Sequence, residues 1–191
     1  MPTMERMTET SPRLMARLAG VFYLLNVVTS LFAFSGSGAH WMAVASGHIA
    51  TACYIAVTVL FYGLFRPVNR SLSLAAAFFG LVACVIGSLN HFHLVPFQIH
   101  SLVFFGCHCL LIGCLILRSA FLPRILGALM AIAGLGWLTF LSPQFAHSLS
   151  PYPYIAGGIG EISLTLWLLA MGVNAARWKE QAGTAVASPR A

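Results

Sequence analysis

The 191-residue sequence has no aspartate, a single lysine and four acidic residues in all, and charged residues make up only 7% of it. A soluble domain gives roughly a quarter of its residues to charge, so a hydrated surface cannot be built from this inventory. The shortage also limits chemistry. Glu5, Glu9 and Glu180 lie toward the ends, which leaves Glu161 as the one carboxylate inside an apolar run. Paired-carboxylate catalysis within those runs is thereby excluded. No HExxH, GxSxG or P-loop motif occurs, nor a GxGxxG opening a soluble βαβ unit, and no enzyme class is indicated.

Cysteine is present without the pattern of a disulfide framework. Cys53, Cys84, Cys107, Cys109 and Cys114 all fall inside apolar runs, where thiols behave as small buried hydrophobes. Cys107 and Cys109, two apart on a helix, point to different faces and do not form a redox CxxC pair.

What the sequence has in excess is hydrophobicity, at 59% of residues, arranged in long runs with short punctuation. A bilayer core of roughly 30 Å takes about 20 apolar residues per helix. Windows of that size run over Leu14–Phe34, Trp41–Phe65, Leu72–Val95, Phe97–Leu117, Phe121–Leu141 and Tyr154–Val173. The expected fold is therefore all-α, an integral membrane bundle of six transmembrane helices. One membrane domain covers residues 1–178, with a disordered tail over 179–191. A cleaved signal peptide competes for the first run, but that run is longer than a usual signal h-region.

The ten Lys and Arg residues give a net charge of +6, yet they form no stripe for a nucleic acid. They occupy the N-terminal tail, the second-to-third turn (Arg66, Arg70), the fourth-to-fifth turn (Arg118, Arg124) and the C-terminal tail. The three other connections carry none. By the positive-inside rule both termini face the cytoplasm, and an even number of crossings follows. The expected location is the cell membrane, the inner membrane in a bacterium, with the lipid bilayer as partner and no nucleic acid. The Pro- and Ser-rich stretch Ser142–Pro153 reads as an external loop.

The seven histidines fall in or beyond the external half of this layout. Intramembrane ionisable groups are site candidates by default. By helical rise, Glu161 and His48 lie roughly 10 Å deep and His108 near the midplane. His91, His93 and His100 bracket the external turn between the third and fourth helices, and Asn26 adds a polar group to the first. The candidate site is thus His48, His108, Glu161, His91, His93, His100 and Asn26. Two chemistries suit such a set. Imidazoles with a carboxylate can ligate a metal or haem iron, and Glu161 with His48 or His108 could relay protons in a small transporter. The histidine spacing matches no metal signature and no cofactor is expected. Interhelical hydrogen bonding is the structural alternative. Gly80, Ala83 and Gly87 on the third helix, and Gly157 beside Glu161 on the sixth, mark small faces for close packing.

Several stretches resemble an uncharacterised bacterial multi-pass membrane family, catalogued as domain-of-unknown-function family 4386. They are Arg17-Leu18-Ala19-Gly20 with Tyr23-Leu24-Leu25, the turn from Leu64 to Leu72, the segment Phe104 to Leu138 with His108, and Gly160-Glu161-Ile162-Ser163. The resemblance implies a retained first helix and a multi-pass fold, and brings with it no activity, substrate or catalytic residue. Of the histidines only His108 belongs to the pattern.

Overall fold

A computed structural model describes residues 11–35, 40–91 and 100–187. The helices are α1 (Pro12–Ser35), α2 (His40–Phe65), α3 (Arg70–His91), α4 (Ser101–Arg118), α5 (Arg124–Leu138), α6 (Pro143–Ser148), α7 (Tyr152–Ala170) and α8 (Ala175–Ala187). Six of them, α1 to α5 and α7, are long and apolar enough to cross a membrane, with α5 prolonged by a 3-10 turn at Thr139–Leu141. The chain is a multi-pass helical membrane protein.

Local chemistry sets the ends of these helices. Pro12 opens α1, where a missing N–H costs nothing. Asn69 Oδ1 accepts the N–H of Leu72 at 2.9 Å and caps α3. These caps explain why α3 begins two residues before its apolar run. Residues 92–95 and 97–99, expected to end the third span and begin the fourth, lie outside the described residues.

Each spanning helix packs against its neighbour in the chain, and α7 returns to α1, so the six form a closed ring. The tightest seam is between α4 and α5. A Cβ on Gly113 would meet the Gly127 carbonyl oxygen at 2.8 Å, and one on Gly134 would meet that of Gly106 at 2.8 Å. Two glycine pairs, seven residues apart on each helix, thus bring the backbones into contact, which is how helices gain packing where lipid offers no hydrophobic drive. Outward, Ile155, Ile159, Ile162 and Leu166 of α7 and Leu74, Phe78, Leu81 and Val85 of α3 stand exposed. Such apolar stripes suit lipid and would be a liability in water.

Two segments depart from expectation. The stretch Ser142–Pro153 is not all loop: it holds α6, with Pro143 in the first turn and the Ser142 hydroxyl facing the Phe145 N–H at 3.5 Å. Residues 179–187, expected in a disordered tail, continue α8. This helix folds back on the end of the bundle that carries the described termini. Trp178 Nε1–H donates to the Leu64 carbonyl at 2.8 Å, and Gln181 bonds both the Ala120 N–H and the Arg118 carbonyl. Its side chains thereby supply partners for the last carbonyls of α2 and α4, which no intrahelical donor can reach.

Candidate functional site

The core of the ring is apolar, and at one level polar side chains from five of the six spanning helices meet, together with a backbone carbonyl of α3. Glu161, the middle residue of α7, is 9% exposed. Its Oε1 accepts a hydrogen bond from Trp137 Nε1–H of α5 at 3.0 Å. The Tyr23 hydroxyl of α1 lies close enough to the same carboxyl to share a hydrogen bond with it. Tyr54 of α2 and Cys109 of α4 lie within electrostatic reach of it.

Glycine explains how the indole arrives there. A Cβ on Gly157, one turn before Glu161, would run into the Trp137 ring. The groove read as a packing face is therefore filled by the side chain that binds the carboxyl. Gly160 lets α7 settle on α5 in the same way, with its missing Cβ 2.8 Å from the Leu129 carbonyl oxygen.

His108 of α4 is 1% exposed, and its Nδ1 donates to the Ala76 carbonyl of α3 at 2.8 Å. That bond fixes the tautomer, because a carbonyl can only accept. Ala76 lies one turn before Gly80, and a Cβ on Gly80 would stand 2.8 Å from His108 Nδ1. The bare Gly80 backbone thus leaves the second lone pair of the Ala76 carbonyl reachable. The imidazole also meets the Tyr54 ring edge-on at 5.6 Å and lies parallel to Phe105 at 6.4 Å.

Tyr54 lies near both groups. Its ring also meets Tyr23 at 6.0 Å and Phe105 at 5.2 Å. Among the described residues its hydroxyl is buried without a hydrogen-bond partner, as is that of Thr165, one turn after Glu161. Buried hydroxyls are normally bonded to protein or to ordered water, so each has capacity left for a polar guest.

Of the sequence candidates, Glu161 and His108 reach this level, both near Tyr54. Asn26 does not: its Nδ2 donates to the Ala50 carbonyl at 2.9 Å, about one turn away, joining α1 to α2. His48 is half-buried on α2, six residues from Tyr54 and so about 9 Å along the axis. His100 precedes α4, with its ring 5.7 Å from Phe140. His91 ends α3, but its side chain and all of His93 lie outside the described residues. Among the described residues no three His, Cys, Asp or Glu side chains are grouped as metal ligands.

Sequence reasoning missed Tyr23, Tyr54, Trp137 and Thr165. One signal pointed to Trp137: a glycine one turn from a lone membrane carboxyl leaves a gap that a large side chain can fill.

No solved structure matches the chain. An uncharacterised protein of Archaeoglobus fulgidus is 30% identical over 132 residues, which are 62% of this chain and 76% of the relative. Residues 36–99 and 97–172 match the family described as a domain of unknown function, DUF4386. Those two stretches take in Tyr54, His108, Trp137 and Glu161 and most of the bundle, and the chain belongs to the DUF4386 family.

Proposed function

We propose that the chain is a small proton-linked carrier of the cell membrane, with Glu161 as its proton-binding residue and with both termini on the cytoplasmic side. The observation that carries this reading is the hydrogen bonding of Glu161, which suits the carboxyl in either protonation state. As a carboxylate it accepts from the Trp137 indole and from the Tyr23 hydroxyl. As an acid it keeps the indole bond on one oxygen and donates its own O–H to Tyr23, whose hydroxyl can reverse role because it both donates and accepts. Trp137 holds the carboxyl in place throughout, since an indole only donates. The open hydroxyls of Tyr54 and Thr165 give a bound polar solute, or water, its partners beside the proton site. His108, committed to a backbone carbonyl, has the role of a structural pin. Orientation rests on the basic residues, all of which flank one set of turns and the tails.

Three experiments test this reading. Protein reconstituted in vesicles around a trapped pH dye is challenged with a panel of small polar solutes. A solute that moves protons with the native chain and not with Glu161→Gln is the expected result. As a measure independent of any solute, Trp137 fluorescence is followed across the pH range the folded protein tolerates. It should titrate in the native chain and be flat in Glu161→Gln; equal traces would remove the proton from the proposal. Reporter fusions at Arg70 and Ser148 should lie on opposite sides of the membrane, with Arg70 inside.

A further inference from the structure

Where α8 folds under the bundle, a surface groove of about 380 Å³ opens between the start of α1, the α4–α5 turn and the end of α7. Its polar wall is made by Arg13, Asn174 and Arg177, and its apolar wall by Pro123, Trp167 and Met171. Glu180, the acid of α8, does not line it. Arg177 is steadied by one long bond, from Nη1 to the Ala120 carbonyl at 3.4 Å. A guanidinium has five N–H donors, so most of its capacity faces outward. Arg13 is exposed on the first turn of α1, and Arg17 follows one turn later.

The same face of α1 continues as Val21, Leu24, Val28 and Leu31, all exposed. Their spacing keeps them in line with Arg13 and Arg17 along the helix. The outline is two cationic groups at one end, an apolar notch beneath them, and an apolar strip running into the bilayer. That is the outline of a phospholipid with an anionic headgroup. A soluble anion would have no use for the strip, and a soluble protein partner could not follow it into lipid.

We propose that this groove binds an anionic phospholipid, whose phosphate is held by Arg13 and Arg177 while an acyl chain lies along α1 beside Trp167. Bidentate pairing makes arginine the suited side chain for phosphate oxygens, and basic pockets between membrane helices are a recurrent way to hold such headgroups. The proposal is independent of proton coupling, because no residue of the Glu161 site lines the groove.

The test uses the full chain in mild detergent with phosphatidylglycerol or phosphatidylcholine brominated on the acyl chain, reading tryptophan fluorescence. Brominated phosphatidylglycerol should quench at lower mole fraction than brominated phosphatidylcholine, and Trp167→Phe should remove most of the difference. Arg13→Gln and Arg177→Gln should each weaken the apparent affinity for phosphatidylglycerol about fivefold, whereas Arg70→Gln, outside the groove, should leave it unchanged. Each variant is first checked for a single symmetrical peak on size exclusion. Arg13→Gln, at an exposed position, keeps the test open if the other fails that check. Equal quenching by the two lipids, or equal weakening by Arg70→Gln, would overturn the proposal. So would displacement of the brominated lipid by excess glycerol phosphate, because the site would then be one for a free phosphate.

Discussion

His108 and Glu161 are both buried at mid-bundle, both held by a neighbouring helix, and both lie near Tyr54. They differ in what holds them. His108 has a backbone carbonyl for a partner, which cannot change its hydrogen-bonding role, and it sits on a glycine that leaves no slack. Glu161 is met by side chains, one a permanent donor and the other a hydroxyl that works in either direction. Burial alone therefore says little about whether a membrane polar group takes part in function. The partner's freedom to change role is the better guide: His108 can take a proton at Nε2 with its Nδ1–H bond intact, but only Glu161 has a partner whose bond can reverse with the proton.

The sharpest way to break this comparison is to disturb the rigid side. Gly80→Val would drive a side chain into His108 Nδ1 and the Thr58 side chain, whose hydroxyl would stand 3.0 Å from the new Cβ. Overpacking of this kind should cost about 3 kcal/mol. Gly158→Val, with nothing within 4 Å of the added Cβ, should cost less than about 0.5 kcal/mol. Thermal unfolding in detergent compares the two. Equal losses would show that the α2–α3–α4 contact is looser than its distances imply.

Next come the two polar side chains themselves. Glu161→Ala strips the acceptor from the Trp137 indole and from Tyr23, leaving buried donors that should cost about 2–3 kcal/mol together. His108→Phe removes one hydrogen bond from a carbonyl that keeps its own helix bond, so about 1 kcal/mol is expected. Glu161→Gln preserves an acceptor and should unfold close to the native temperature while losing the fluorescence titration of Trp137. If His108→Phe also abolished that titration, the division between a pin and a proton site would fail.

Much of this was legible in the sequence, and the exceptions share a cause. The spans follow from apolar length, because a bilayer fixes how many residues a helix needs. Glu161 stood out because a lone carboxyl among apolar residues has no other explanation. Of its partners, Tyr23 was hidden because it reaches Glu161 only once the ring closes from α7 to α1, and nothing local encodes that closure. Trp137 by itself reads as an ordinary core aromatic. The helix α8 was lost to its low hydrophobicity, although Trp178 and Gln181 stand on one face three residues apart and both bond the bundle. The helix α6 had a readable start in Ser142-Pro143, a capping residue followed by the proline that favours a first turn. Depth counted from the end of an apolar run is a coarse guide to which histidines come together: His48 stands six residues from Tyr54 along α2 and His100 precedes α4.

A small effect is expected at Asn26, which tests where the site ends. Its amide joins α1 to α2 one turn from Tyr23 and Tyr54, and it donates to a carbonyl inside a regular helix. Removing it leaves that carbonyl with its intrahelical partner. The loss should be near the average for one interhelical bond in a membrane, about 0.6 kcal/mol. Asn26→Ala should therefore lower the unfolding temperature slightly and leave the pH response of Trp137 fluorescence as in the native chain. A changed response would extend the proton site a full turn along α1 and α2, toward His48, and would make the polar level described here only its inner part.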